Sequence, residues 1–306
     1  MTSDSNTDEV LTAARESGHL ELDERNGAVL GAKIRTDWEA NVQPIEILKR
    51  VAAVHGKDLV SLTLGLWDAE ENDYGGLDEF VDAERFPALR ELFVGDFDFP
   101  EETEISWSHV GSADGYLTGL PQLRWLRLRG GSIELTRAHH ERLRTLILET
   151  GGLPAESARA LATAELPHLE ELVIWFGDSN YGADTTPEDF ERFFTNPSFG
   201  QLLRLTLGNA EISDALAARV VTSPLVAQLQ ELSFEMGTLT DEGAKALAAG
   251  AEAFENLQKL RTGENFVGSE GRAALEKAFG SRLVFGQQEE GDVWDGEVHR
   301  YVSVGE

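Results

Sequence analysis

The sequence predicts an α/β solenoid, in which strand-plus-connector units stack with a parallel sheet on the concave side and helical or irregular connectors on the convex side. Three observations predict it. A leucine pattern recurs eight times in order, several connectors of the second half carry helix-start signals, and 41% hydrophobic residues suffice for a continuous core. A single array can fill 306 residues, because each unit of a solenoid contacts only its neighbours.

The period is found by aligning the chain on L-x-x-L-x-L. The matches are Leu59/Leu62/Leu64, Leu89/Leu92/Val94, Leu123/Leu126/Leu128 and Leu143/Leu146/Leu148. They continue with Leu169/Leu172/Ile174, Leu202/Leu205/Leu207, Leu229/Leu232/Phe234 and a weaker Leu257/Leu260/Thr262, and a degenerate Leu283/Phe285 ends the series. The first leucines are spaced by 30, 34, 20, 26, 33, 27 and 28 residues. These spacings surround the roughly 20–29 residues of a leucine-rich repeat, the longer ones extended by insertions. Glycine and then an apolar residue follow at fixed offsets, as in Gly131/Ile133, Gly151/Leu153 and Gly237/Leu239. The fold class expected is therefore a leucine-rich-repeat horseshoe over residues 59–286.

The remaining elements follow in chain order. Residues 1–20 are expected to be disordered. Residues 28–34 read as a strand after the hairpin-type turn Asn26-Gly27. Residues 44–55 read as a helix with Ile45, Leu48, Val51 and Ala52 on one face, stopped by Gly56. Together, residues 21–58 make an N-terminal cap that covers the first rung. The connectors at 68–88 and 98–120 are long and polar, and their helical content is open. Residues 155–164 read as helix. Thr186-Pro187-Glu188-Asp189 starts another before Phe190, Phe193 and Phe194, and Ser213, Thr240 and Ser269 each precede a further amphipathic stretch. Residues 287–306 form an acidic tail, in which the alternation over 298–304 around Tyr301 fits either a docked edge strand or a loose end.

Composition narrows the function. Fifty-five acidic residues against 26 basic give a net charge of −29, a field that repels phosphate backbones and anionic lipid. Nucleic-acid and membrane partners are not expected. The chain has no cysteine, which removes disulfides, thiolate metal sites and cysteine nucleophiles. No secretory signal and no run of roughly 20 apolar residues is visible, and a cytoplasmic location is expected.

With the repeats placed, the chain resembles the ribonuclease-inhibitor-like branch of leucine-rich repeats. More narrowly, it resembles a family of bacterial cytosolic leucine-rich-repeat proteins of uncharacterised function. The segments that carry the resemblance are Leu92-Phe93-Val94-Gly95-Asp96, Glu104-Ile105-Ser106-Trp107, Leu128-Arg129-Gly130-Gly131 and Glu149-Thr150-Gly151-Gly152-Leu153-Pro154. Further on come Gly237-Thr238-Leu239-Thr240-Asp241-Glu242-Gly243 and Arg300-Tyr301-Val302-Ser303-Val304. The resemblance implies a bacterial solenoid with no carried-over catalytic or ligand residue. Enzyme genes that accompany some members, radical-SAM ones among them, point to a biosynthetic partner.

Side chains alternate faces along a strand, so the residues flanking the core leucines point to the concave surface. On the second to fifth rungs these include Phe93, Trp125, Arg127, Arg129, Ile147, Glu149, Val173 and Trp175. Aromatics and arginine are enriched at interface hot spots, and a planar guanidinium suits a carboxylate-bearing anchor. These eight residues are the candidate partner-binding set. The competing reading pairs Arg127 and Arg129 with Glu91, Glu149 or Glu171 across strands, with the aromatics covering backbone.

Other constellations are weaker. His139-His140 lacks further metal ligands, and Asp96-x-Asp98 with Glu101, Glu102 and Glu104 lacks calcium-loop spacing. Ser106 beside Trp107 and His109 lacks a nucleophile elbow, and Trp107 is expected to pack under its connector. No phosphate loop, dinucleotide fingerprint or zinc-protease motif occurs. No cofactor, no metal and no catalytic residue is expected. The function expected is a non-catalytic scaffold that binds a protein or peptide on the concave face. The alternatives are a subunit that completes or regulates a bacterial biosynthetic enzyme, or an enzyme with an unrecognised site.

Overall fold

In the computed structural model, which describes residues 3–37, 43–68 and 72–306, the recurring leucines fall on strands that pair in register with their neighbours within each of two units. The chain divides into two compact units, the first ending at Glu134 and the second running from Leu135 to Glu306. Both are mixed α/β, and their principal strands pair mostly in parallel.

The first unit opens with helix α1 (Ser3–Glu16), where disorder is expected; Leu11 and Ala14 are buried and hold it down. Strands β1 (Leu20–Arg25) and β2 (Ala28–Ile34) form an antiparallel hairpin around Asn26 and Gly27, both at positive φ. That geometry is what a two-residue turn between twisted strands demands. Helix α2 (Pro44–His55) carries Pro44 in its first turn, and buries Ile47, Leu48 and Val51. Gly56 follows because an added Cβ would lie 2.4 Å from the Arg85 carbonyl and 2.5 Å from that of Ala52. Strands β3 (Ser61–Gly65), β4 (Asn72–Asp73), β5 (Glu91–Asp96), β6 (Ser108–Ser112), β7 (Trp125–Arg129) and β8 (Ser132–Glu134) complete the strands of this unit. The order β1-β2-β3-β5-β7 is parallel from β2 onward, with Ala32, Leu62, Leu92 and Leu126 in line.

The two long connectors resolve into short pieces. Helices α3 (Leu77–Phe80) and α4 (Asp114–Gly119) span four and six residues, and β4, β6 and β8 pair into a separate three-stranded parallel sheet. Asn72 ties that sheet to the next layer. Its Oδ1 accepts from the Trp67 amide at 2.7 Å, while Nδ2 donates to Ser108 Oγ at 2.9 Å and Tyr74 Oη at 3.0 Å.

The second unit contains β9 (Thr145–Glu149), α5 (Ala155–Ala162), β10 (Glu171–Gly177), β11 (Arg204–Ala210), α6 (Ser213–Val220), β12 (Glu231–Ser233), α7 (Asp241–Ala249), β13 (Lys259–Arg261), α8 (Ser269–Phe279) and β14 (Leu283–Val284). Strands β9 to β14 pair in that order, all parallel, and Leu146, Leu172, Leu205, Leu232, Leu260 and Leu283 fall in one register line. Each of these leucines up to Leu260 is at most 1% exposed. The chain leaves β11, β12 and β13 through Asn209, Met236 and Glu264, all at positive φ and all four residues beyond the strand leucine. Their amides extend the ladder, donating to the carbonyls of Glu235, Gly263 and Gln287 at 3.0, 3.1 and 2.7 Å.

The connector expected to be helical after Thr186 forms 3₁₀ turns instead, at Glu191–Thr195 and Pro197–Phe199. Phe190, Phe193, Phe194 and Phe199 are all buried there, with Phe190 and Phe193 stacked 4.5 Å apart. Packing four rings against one another sets this segment, rather than helix propensity. The acidic tail forms a hairpin of β15 (Asp292–Trp294) and β16 (Glu297–His299), and beyond it Val302 and Val304 are buried. Among the described residues, no helix is long and apolar enough to cross a membrane.

Candidate partner-binding face

The leucines point to one side of each sheet, so the residues between them form the other face. In β7 the alternation is complete, and in β3 it holds up to Gly65: Leu62, Leu64, Leu126 and Leu128 are buried, and Ser61, Thr63, Trp125, Arg127 and Arg129 are half-exposed. Ile147, Glu171, Val173, Arg204 and Thr206 stand the same way in β9, β10 and β11. All-parallel sheets ordinarily have both faces covered. Here, in each unit, one face is only partly shielded.

In the first unit four of the candidate residues come together. The register sets Phe93 directly opposite Arg127, and Glu91 opposite Trp125. The Arg127 guanidinium lies 4.5 Å from the Phe93 ring centre, and the Trp125 indole meets the same ring edge-on at 6.2 Å. Arg129 stands 5.8 Å from Phe93, 5.9 Å from Phe97 and 5.3 Å from Phe99, and donates from Nη1 to the Phe97 carbonyl at 2.7 Å. Phe93 is only 9% exposed because it sits beneath this cluster. Cation–ring contacts of this kind contribute roughly 0.5–2 kcal/mol each, more where water is excluded. The arginines are thus held in place before any ligand arrives.

Phe97 and Phe99 were not among the candidates. The signal was present in Phe97-Asp98-Phe99, an alternating aromatic run just past a strand, but its partner Arg129 lies on a different strand.

The second unit holds the other four. Val173 pairs in register with Ile147 on one side and Thr206 on the other, and Trp175 stands opposite Gly208. A Cβ at Gly208 would lie 3.5 Å from the Trp175 ring, an ordinary contact distance. Trp175 is 9% exposed and Glu149 6%, which makes both of them buried supports more than contact surface. Glu171 pairs with Arg204 at 3.3 Å and accepts from Thr145 Oγ1 at 3.4 Å.

The weaker constellations are engaged elsewhere. His139 Nδ1 lies 2.9 Å from the Glu165 carboxylate, and buried His140 accepts the Arg142 amide at 3.0 Å. Asp96 pairs with Lys33 at 2.6 Å, and Glu102 pairs with Arg35 while accepting the Asp98 amide at 2.9 Å. His109 meets Ser132 Oγ at 3.3 Å. Trp107, expected under its connector, is 64% exposed at the end of a 3₁₀ turn. Among the described residues, no three His, Asp or Glu side chains group closely enough to hold a metal ion.

No family model and no curated protein matches this chain. Among solved structures, it is similar to that of a protein from Bacteroides fragilis, with a TM-score of 0.73 and 24% sequence identity. The match covers 99% of this chain and 85% of the other. At that identity the likeness is one of fold.

Proposed function

We propose that this chain is a leucine-rich-repeat solenoid of the bacterial cytosolic type, and that it works as a non-catalytic scaffold in the cytoplasm. It binds a protein or peptide through the strand face opposite the leucines. One observation carries the proposal. Parallel strands in both units leave a face half-exposed, and in the first unit that face presents an aromatic and arginine cluster built around Phe93. Guanidiniums stacked on rings are pre-ordered, so a partner that meets them loses less side-chain freedom on binding. The partner chemistry that fits is an acidic or carboxylate-bearing segment with an aromatic or aliphatic anchor. The one-register line of leucines within each unit supports the repeat reading, as does the recurring positive-φ exit at Asn209, Met236 and Glu264.

The test is a comparative capture with the wild-type chain and the variants Arg127→Glu and Trp125→Ala. A partner held by this face is lost from Arg127→Glu by about tenfold or more, the scale of a hot-spot arginine. Retention of the same partner by both variants would falsify the placement.

A further inference from the structure

Asn72, Asn209 and Asn265 are buried, and two of them serve neighbouring strands and connectors. Asn265 accepts the Leu239 amide at 2.8 Å and donates to the carbonyls of Phe234 and Gly263 at 2.6 and 2.8 Å. Asn72 joins two layers of the first unit in the same way. Asn209 is different. Both halves of its amide go to the main chain of Val304, 95 positions away: Nδ2 donates to the carbonyl at 2.5 Å, and Oδ1 accepts the amide at 2.9 Å. With Val304 gone, a buried donor and a buried acceptor would both lack a partner, which is costly. The site is thus built around a main-chain ligand.

Residues 302–306 lie across the exits of three neighbouring strands of the second unit. The Ser303 amide donates to the carbonyl of Met236, just past β12, at 3.0 Å. Val304 sits on Asn209 of β11. Beyond β10, a Cβ at Gly305 would lie 3.0 Å from the Tyr181 ring and 3.3 Å from Asp178 Cβ, a fit that favours glycine. The Tyr181 hydroxyl donates to the Glu306 carboxylate. Val302 and Val304 are buried, while Ser303 between them is exposed. Main-chain bonds that give affinity, with alternate side chains in cover that give specificity, are the way a protein reads a peptide. The run is also separable from the body. Residues 292–301, which lead to it, are exposed at every position, and β15 and β16 pair only with each other. Residues 302–306 can therefore leave without uncovering the hairpin.

We infer that the exits of β10, β11 and β12 form a peptide-binding groove, and that residues 302–306 occupy it in cis as a displaceable strap. The partner is a protein segment of the same chemistry: two small aliphatic residues flanking one polar residue, then glycine, then a carboxylate. This site uses none of the strand-face residues and does not depend on them. A tethered occupant competes at the millimolar effective concentration of a short linker. A partner's apparent affinity is lowered by the fraction of chains whose groove is open, so the strap sets the threshold for binding.

Fluorescence anisotropy on the full chain tests this, with a labelled synthetic peptide of residues 300–306 as the probe. The variant Val302→Asp/Val304→Asp releases the strap and leaves the groove intact, and it binds the peptide about tenfold or more tighter than the wild type. Adding Asn209→Gly, which keeps the positive φ without strain, lowers that affinity about tenfold. A second measurement needs no substitution. In the wild type, millimolar peptide speeds hydrogen exchange at the Ser303 and Val304 amides and leaves the β11 amides protected. A release variant that does not bind the peptide overturns the inference, as does equal binding by wild type and variant or binding indifferent to Asn209→Gly. Amides 303 and 304 that stay protected at millimolar peptide overturn it too, making the run a fixed part of the fold. Light scattering is expected to show a wild-type monomer. A dimer lost in Val302→Asp/Val304→Asp would overturn the cis assignment and make a second copy's strap the occupant.

Discussion

Asn209 sits at φ 48° with its side chain wholly buried, and both halves of its amide serve the main chain of Val304. Nδ2 donates to the Val304 carbonyl at 2.5 Å, and Oδ1 accepts the Val304 amide at 2.9 Å. Asparagine is one of the few residues that tolerate this backbone region, so one side chain both turns the strand and holds the chain end. Asn209→Ala loses both bonds, at about 1–3 kcal/mol, and adds about 1–2 kcal/mol of backbone cost. Asn209→Gly loses only the bonds. Hydrogen exchange at the Ser303 and Val304 amides is expected to accelerate in both variants, while the stability loss is larger for alanine. Two tyrosines make a second residue-scale case. Burial pushes the phenols of Tyr74 and Tyr116 above their ordinary range. Tyr74 donates to the Gly65 carbonyl at 2.8 Å, but the buried Tyr116 hydroxyl has no hydrogen-bond partner among the described residues. An unmet hydroxyl costs roughly 1–3 kcal/mol, so Tyr116→Phe is expected to stabilise the fold by about 1 kcal/mol near neutral pH. The pH dependence has a definite sign. Below the unfolded phenol value of about 10 the native and unfolded chains hold the same protons. Above it the unfolded chain releases protons that the native chain keeps, and stability falls with rising pH. Removing Tyr116 makes that alkaline decline shallower by about 1.4 kcal/mol per pH unit. Urea titrations across the alkaline range measure it, and an unchanged slope would contradict the buried assignment.

The helices of the second unit are joined by a relay of carboxylates. Asp214, in the first turn of α6, accepts the amides of Thr240 at 2.8 Å and Gly243 at 3.1 Å, and the Thr240 hydroxyl at 2.6 Å. Asp241, in the first turn of α7, accepts the Gly271 amide of α8 at 3.0 Å. Each acid thus satisfies orphan amides at the start of the next helix, where the helix dipole also favours negative charge. Glycine is required at the contact: a Cβ at Gly243 would lie 2.4 Å from Asp214 Oδ1, and one at Gly271 2.5 Å from Asp241 Oδ1. Asp214→Ala strips three donors and is expected to cost about 2–3 kcal/mol in urea unfolding, with α7 amides losing protection first. Asp214→Asn keeps Oδ1 as an acceptor and costs less. An alanine variant as stable as wild type would remove the relay from the account. The cap at Thr240 was legible in the sequence because the signal is local, whereas Ser269 falls inside α8, behind Gly268 at the cap position. The relay was not, since it joins residues 26 to 30 apart through a distance no periodicity encodes. The connector after Thr186 misled for a related reason: its proline and acids signal a helix start, yet ring packing among Phe190, Phe193, Phe194 and Phe199 prevails. The sheet of β4, β6 and β8 was hidden because strands of two, five and three mostly polar residues are too short to show a period. At the candidate face, Phe93 beside Arg127 followed from their equivalent positions on neighbouring rungs. That Arg129 would be enclosed by Phe97 and Phe99 did not, because it depends on how the chain turns after β5.

At the scale of the whole molecule, a charge of −29 on 306 residues enters every equilibrium the chain takes part in. Folding gathers 55 carboxylates onto a smaller surface, and the self-repulsion of that surface opposes the compact state. Many of these carboxylates sit in exposed ion pairs, such as Lys245 with Glu270 at 2.6 Å and Arg272 with Glu276 at 2.8 Å. Exposed pairs of this type contribute little, with a median of about 0–1 kcal/mol, and salt weakens them. Two effects of salt therefore compete: screened repulsion stabilises the fold, and screened pairing destabilises it. With 26 cations against 55 anions, repulsive pairs outnumber attractive ones and reach further, so the first effect is the larger. Between about 0.01 and 0.1 M the screening length falls from roughly 30 to 10 Å, which removes the long-range repulsion while leaving close pairs largely intact. The melting temperature is expected to rise by several degrees over that interval and to change little beyond it. Sodium and potassium chloride should act alike, since screening depends on ionic strength alone. Differential scanning calorimetry at dilute protein makes the measurement. A rise obtained with one cation and not the other would assign the effect to a bound ion, and a fall would show that the ion pairs outweigh the net charge.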